Sequence, residues 1–170
     1  MYYENQRQNG QSPAPRRDYG PQPFAVNIAS ATGRNTNYRT ALWTGEYLQV
    51  TLMSIPAGGD IGLEMHPDTD QFLRVEQGWG DVRMGPAQGN LPFRKKVSAG
   101  DAVMVPAGAW HNVVNVGNVP LKLYSIYAPP HHPAGTVHRT KADAQAAETG
   151  KGTGKGTGGG RTASGDGRRG

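Results

Sequence analysis

Residues 100–115, GDAVMVPAGAWHNVVN, hold two strand-like runs around a break that no strand absorbs. Apolar and β-branched residues at strand spacing lead up to Val105, and Pro106-Ala107-Gly108 then stops them. Proline has no N–H to give to a ladder, so the chain must leave pairing there and re-enter it at Trp110-His111. Upstream, residues 58–78, GGDIGLEMHPDTDQFLRVEQG, have the same character. Glu64 and His66 are two apart and share a face if extended, and Pro67-Asp68-Thr69-Asp70 reads as a turn. From Gln71 the alternation puts Gln71, Leu73 and Val75 on one face and Phe72, Arg74 and Glu76 on the other. With the apolar face turned inward, Gln71 lies inside together with Glu64 and His66.

Outward from these stretches the period stays that of strands. The runs ALWTGEYLQVTLMSIP, FRKKVSAGDAVMVPAG and HNVVNVGNVPLKLYSIYAPP carry β-branched and aromatic residues between closely spaced turn residues, which predicts an all-β sandwich or barrel. Gly89-Asn90, Ala99-Gly100-Asp101 and Gly117-Asn118 fit hairpin loops between adjoining strands. Residues 139–149, RTKADAQAAET, are the one predicted helix or linker, a surface appendage. Trp110 alternates away from His111 and is expected to pack in the shell.

In the order Gly58, Glu64, His66, Gln71, Gly78 and then Gly100, Pro106, Gly108, His111, Asn115, the chain resembles the cupins. Their first motif is G-x5-H-x-H-x3 or 4-E-x6-G and their second is G-x5-P-x-G-x2-H-x3-N. The second is matched at every position. The first is matched in spacing, with Glu64 in place of the first histidine and Gln71 in place of the glutamate. The resemblance spans residues 24–135 and implies a double-stranded β-helix, the cupin jelly-roll barrel. It implies a metal set of Glu64, His66, Gln71 and His111, which keeps the charge of −1 of the usual three imidazoles and one carboxylate. Fe, Mn or Zn suits such a mixed nitrogen and oxygen set.

A second register, with His66 and Asp68 as the pair, stays open, as does a barrel whose His66 and His111 are hydrogen-bonded core residues. Within the family the chain looks like the small single-domain bacterial proteins labelled as similar to mannose-6-phosphate isomerase. That likeness implies a metal-dependent, isomerase-like enzyme on a small polar, sugar-like substrate, with Tyr124 and Tyr127 as candidates for the base. An Fe(II) dioxygenase and a non-catalytic module holding a small-molecule ligand are the alternatives. Homodimers are also implied.

Composition sets the bounds. The 170 residues include 25 glycines and 13 prolines but only 35% hydrophobic residues, so part of the chain cannot bury enough surface to fold. Residues 1–22 and the basic, glycine-rich 150–170 are expected to be disordered tails around a barrel over 23–138. Those tails carry the whole net charge of +5, leaving 23–149 neutral, without the basic footprint of a nucleic-acid binder. With no cysteine, disulfides, thiolate sites and cysteine nucleophiles are excluded together. No apolar leader or membrane-length run is present, which makes cytoplasmic the expectation. The tail string GTGKGTGGG follows no strand and opens no helix, so its G-x-G-x-x-G is compositional. His131, His132 and His138 are candidates to gate the barrel mouth, and Arg94-Lys95-Lys96 to hold a phosphate or protect a strand edge.

Overall fold

The protein, as a computed structural model, is described over residues 18–151; of the tails expected over 1–22 and 150–170, residues 1–17 and 152–170, GTGKGTGGG included, lie outside the described residues. In chain order the elements are α1 (Ile28–Arg34), β1 (Arg39–Thr44), β2 (Gln49–Ile55), β3 (Asp70–Gln77), β4 (Trp79–Gly85) and β5 (Phe93–Ser98). They continue with β6 (Ala102–Val105), β7 (Trp110–Asn115), β8 (Leu121–Ala128), β9 (Val137–His138) and α2 (Lys141–Lys151). Gln71, Leu73 and Val75 are buried along β3 while Phe72, Arg74 and Glu76 are half-buried, as the alternation predicts.

Two antiparallel sheets result, a six-stranded one in the order β6-β3-β8-β2-β1-β9 and a three-stranded one, β5-β4-β7. Residues 60–64 extend the smaller sheet through bridges of Asp60 to Val114 and Glu64 to His111. Between the sheets lie Met53, Ile55, Leu73, Val75, Leu121 and Leu123 from the larger and Val82, Val97 and Val113 from the smaller. Each such side chain contributes about 1.5–3 kcal/mol on burial. This is the expected all-β jelly-roll barrel. No helix among the described residues is long and apolar enough to cross a membrane.

Two expected hairpins are instead crossings between sheets. Gly89-Asn90 does join the paired β4 and β5, but Ala99-Gly100-Asp101 leads from β5 to β6, and Gly117-Asn118 from β7 to β8, in the other sheet each time. A turn sequence fixes a reversal, whereas the pairing partner depends on distant strands. Gly78 makes a third crossing, from β3 to β4. Its φ is +89°, and a Cβ there would stand 3.0 Å from the Cα of Leu121, so the last glycine of the first motif serves geometry rather than chemistry.

Three further features depart from the sequence reading. α1 was not expected; Asn27 caps it by accepting from the Ser30 N–H at 2.9 Å, and the Lys122 ammonium closes its far end by donating to the Gly33 and Asn35 carbonyls. α2 is no mere appendage, because Ala144 is buried in the main core and the Lys141 ammonium pairs with the Asp60 carboxylate. Its start is a capping box: the Asp143 N–H donates to Thr140 Oγ1 at 3.2 Å, and the Thr140 N–H to Asp143 Oδ2 at 3.0 Å.

The third is Asp18, inside the expected N-terminal tail. It accepts from the N–H groups of Gly20, Thr44 and Gly135, each at 2.9 Å, and from the Thr44 hydroxyl at 2.5 Å. One carboxylate thus ties the segment ahead of α1 to the end of β1 and the loop before β9. Partial burial by itself would raise its pKa, but these hydrogen bonds outweigh it and hold the carboxyl below its ordinary value. A depressed carboxyl stabilises the fold above its unfolded pKa and loses that contribution as pH falls through the folded pKa. Asp18→Ala is expected to cost about 1–2 kcal/mol at neutral pH, discounted for solvent screening. In urea titrations the difference from wild type should close in strong acid.

Candidate metal centre

Backbone pairing brings the two motifs together. The Glu64 N–H donates to the His111 carbonyl at 3.0 Å, and the His111 N–H returns to the Glu64 carbonyl at 2.9 Å. The Gly108 N–H donates to the His66 carbonyl at 2.8 Å, and the Ala107 N–H to Asp70 Oδ1 at 2.9 Å. The Pro106–Gly108 break therefore has a structural task, which is to lay one motif against the turn of the other. Gly108, at φ +80°, supplies the left-handed conformation that the turn needs.

Inside, Glu64 Oε1 lies 3.4 Å from His66 Nε2 and 3.4 Å from His111 Nε2. Candidate donor atoms of these three residues all fall within 4.8 Å of one another. His66 is 5% exposed and His111 1%. Gln71 Oε1 faces His111 Nε2 at 2.9 Å, while the Gln71 amide nitrogen donates to the Ser125 hydroxyl at 3.0 Å.

The tautomer of His111 follows from its other nitrogen. Nδ1 is 3.0 Å from the Ala109 carbonyl, which can only accept, so Nδ1 carries the proton. In the neutral ring Nε2 then presents a lone pair to two oxygens that are themselves acceptors. A cation at this point, either a second ring proton or a metal ion, makes both contacts favourable. His66 Nε2 and Glu64 Oε1 are buried with no partner at hydrogen-bond geometry. Such groups cost about 1–3 kcal/mol each when nothing completes them. Burial pushes the Glu64 carboxyl up, but His111, His66 and the Arg39 charge outweigh burial and hold it well below the carboxylate range.

Sequence similarity agrees with this geometry. The chain matches the Cupin domain family over residues 51–127. It is 64% identical over 132 residues to YrkC of Bacillus subtilis, described as an uncharacterized protein, covering 78% of this chain and 71% of that one. This chain belongs to the cupin family. The mimivirus protein L612, from Acanthamoeba polyphaga mimivirus and likewise described as uncharacterized, is 36% identical over 132 residues, covering 76% of this chain and 81% of that one. The crystal structure of BH2720 from Bacillus halodurans is 64% identical, with a TM-score of 0.76 over 76% of this chain and 98% of that one.

In this cupin the other sequence candidates separate clearly. Asp68 is exposed in the turn after His66, so the register pairing it with His66 does not form. Tyr124 points to the outer face of β8, against Phe72 and the small cluster under α1, and cannot act in the barrel. Tyr127, on the inner face, is fully buried, and burial foremost pushes its hydroxyl up to about 12. It is a proton holder at neutral pH, not a base. Trp110 is half-buried, and Arg94 of the edge strand β5 is held by Asp81 at 3.0 Å, away from the site.

His131 and His132 do reach the site. The His131 ring stands 3.9 Å from that of His66, and His132 is 5.0 Å from Tyr127, between ring centroids. The Gln49 amide places them by donating to the His132 carbonyl at 2.8 Å and accepting its N–H at 3.0 Å. Burial above all, then the Arg39 charge, pushes His132 down to about 2, so it stays neutral. Sequence reading missed Arg39. It is 1% exposed on β1, within electrostatic reach of Glu64 and Tyr127.

Proposed function

We propose that this cupin holds one divalent ion through Glu64, His66 and His111, with the Gln71 amide oxygen as fourth donor, and is an enzyme of isomerase-like chemistry on a small polar, sugar-like molecule. The observation that carries this reading is the convergence of buried nitrogen and oxygen atoms on one point, with Glu64 Oε1 and His66 Nε2 left without a hydrogen-bond partner. Two imidazoles, a carboxylate and an amide oxygen suit Fe(II), Mn(II) or Zn(II), and a set that leaves positions open suits substrate access rather than a structural site. When bound, the ion supplies Lewis-acid polarisation of a carbonyl or hydroxyl oxygen.

The chain's own groups prepare the site for that chemistry. The Nδ1–H bond to the Ala109 carbonyl aims the His111 lone pair inward, and the Ser125 hydroxyl turns the Gln71 oxygen the same way. Tyr127 keeps its proton and is a donor to substrate oxygen. Neutral His132 and the ring of His131 meet edge to face, 4.9 Å between centroids, at one side of the site.

The two-histidine, one-carboxylate arrangement also supports a second reading, an Fe(II) dioxygenase. Protein reconstituted separately with Mn(II), Zn(II) and Fe(II) separates the two. Aldose–ketose interconversion with Mn(II) or Zn(II) supports the isomerase, and oxygen uptake confined to Fe(II) supports the dioxygenase. Stoichiometric metal with neither activity leaves ligand holding as the function. The proposal extends to a homodimer, supported by an apolar strip of Met104, Phe72 and Ile126 beside the open edge of β6. Light scattering at micromolar concentration tests it, a monomer mass being the contrary result.

A further inference from the structure

Arg39 poses a problem that the metal centre alone does not solve. The residue is 1% exposed, its Nε and Nη1 are buried without a hydrogen-bond partner, and no carboxylate among the described residues lies within ion-pair distance of it. The ring of Tyr38 lies 5.6 Å from Cζ, a neighbour of complementary character. A buried charge left in this state is costly unless something in the functional protein completes it. Arg39 also lines a cavity of about 270 Å³ roofed by α2, whose wall includes Glu64, Asp60, Asn112, Lys141 and Glu148. Glu64 thus belongs both to this cavity and to the histidine cluster behind it.

We propose that the cavity under α2 takes a small carboxylate, with Arg39 holding the carboxylate group while the rest of the molecule reaches Glu64 and the metal centre. The inference rests on the divalent-ion centre proposed above. Two cationic side chains, Arg39 and Lys141, and three anionic ones, Asp60, Glu64 and Glu148, line the cavity. A divalent ion on Glu64 turns that deficit into an excess of one positive charge. A single carboxylate neutralises it, and a phosphate dianion overshoots. The planar guanidinium fork matches a carboxylate in two parallel hydrogen bonds, made by Nη2 together with either Nε or Nη1, and both Nε and Nη1 are buried without a partner. The cavity lies just below the usual range for drug-sized ligands, which fits a small metabolite.

Calorimetric titration of Zn(II)-loaded and metal-free protein tests this with three probes: glycolate, inorganic phosphate and ethylene glycol. Wild type is compared with Arg39→Met and Arg39→Lys, with metal content checked by elemental analysis and folding by thermal denaturation. Glycolate should bind the loaded wild type, and both variants should keep their zinc while losing about 10- to 100-fold in glycolate affinity. Phosphate and ethylene glycol should bind at least about tenfold more weakly than glycolate. If Arg39→Met does not fold, Arg39→Lys still decides, because it keeps the charge but not the fork. Glycolate affinity that is equal in wild type and Arg39→Lys overturns the proposal, as does a preference for phosphate. Wild type that takes up no zinc overturns the metal centre itself, a distinct result read from elemental analysis before any probe is added.

Discussion

His111→Ala is expected to purify folded but to hold under roughly a tenth of the wild-type metal, since even indirect supports of a ligand are each worth about 10- to 100-fold in affinity. Two donors depend on this one ring. Nε2 is itself a donor, and its 2.9 Å approach to Gln71 Oε1 fixes where the amide oxygen sits. His66→Ala should behave alike, because its Nε2 is buried with no other partner to lose. Gln71→Ala is the graded case: a neutral oxygen is removed while the triad of Glu64, His66 and His111 stands, so metal should weaken by about tenfold rather than vanish. Elemental analysis after dialysis against a weak chelator reads all three. Full metal content in His111→Ala would return the site to a hydrogen-bonded core.

How much of this was legible in the sequence depends on the range over which each feature is decided. Gly100, Pro106, Gly108, His111 and Asn115 state a local geometry, a turn that returns the chain to pairing at the histidine, and local geometry is what sequence spacing encodes. Gly78 likewise marks a left-handed crossing that only glycine makes cheaply. By contrast, Gly117-Asn118 announces a reversal without saying that β8 belongs to the other sheet, because β8 is claimed there by β2 and β3. α1 has no apolar period to betray it; its caps come from Asn27 and from Lys122 far along the chain.

Within the site, Glu64, His66, Gln71 and His111 were legible because motif spacing names them. Arg39 was not, since a charged residue in a strand reads as solvent-facing unless its surroundings are known. Alternation offered one signal: strand period puts Arg39 on one face with the apolar Ala41 and Trp43. His131 and His132 stood out as a pair, but their approach to His66 depends on the amide of Gln49, a contact between segments far apart in sequence.

The second large effect is on stability. A ligand that binds the folded chain alone raises the unfolding free energy by RT ln(1 + [L]/Kd), about 4 kcal/mol at a thousandfold excess over Kd. For a domain of this size that is a rise in Tm on the order of 10 °C. Zn(II) meets the condition here because its donors come from three separate places, the 60–66 segment, β3 and β7, which only the folded barrel assembles. The metal also relieves the acceptors that face one another around His111 Nε2, so the metal-free barrel starts from a lower stability. Glu64→Gln keeps the shape of the side chain but removes the one carboxylate of the triad, and the zinc-dependent rise should disappear in it. Differential scanning calorimetry with and without chelator checks both. An unchanged Tm in wild type at saturating zinc, or an undiminished rise in Glu64→Gln, would mean that the barrel is complete without the ion.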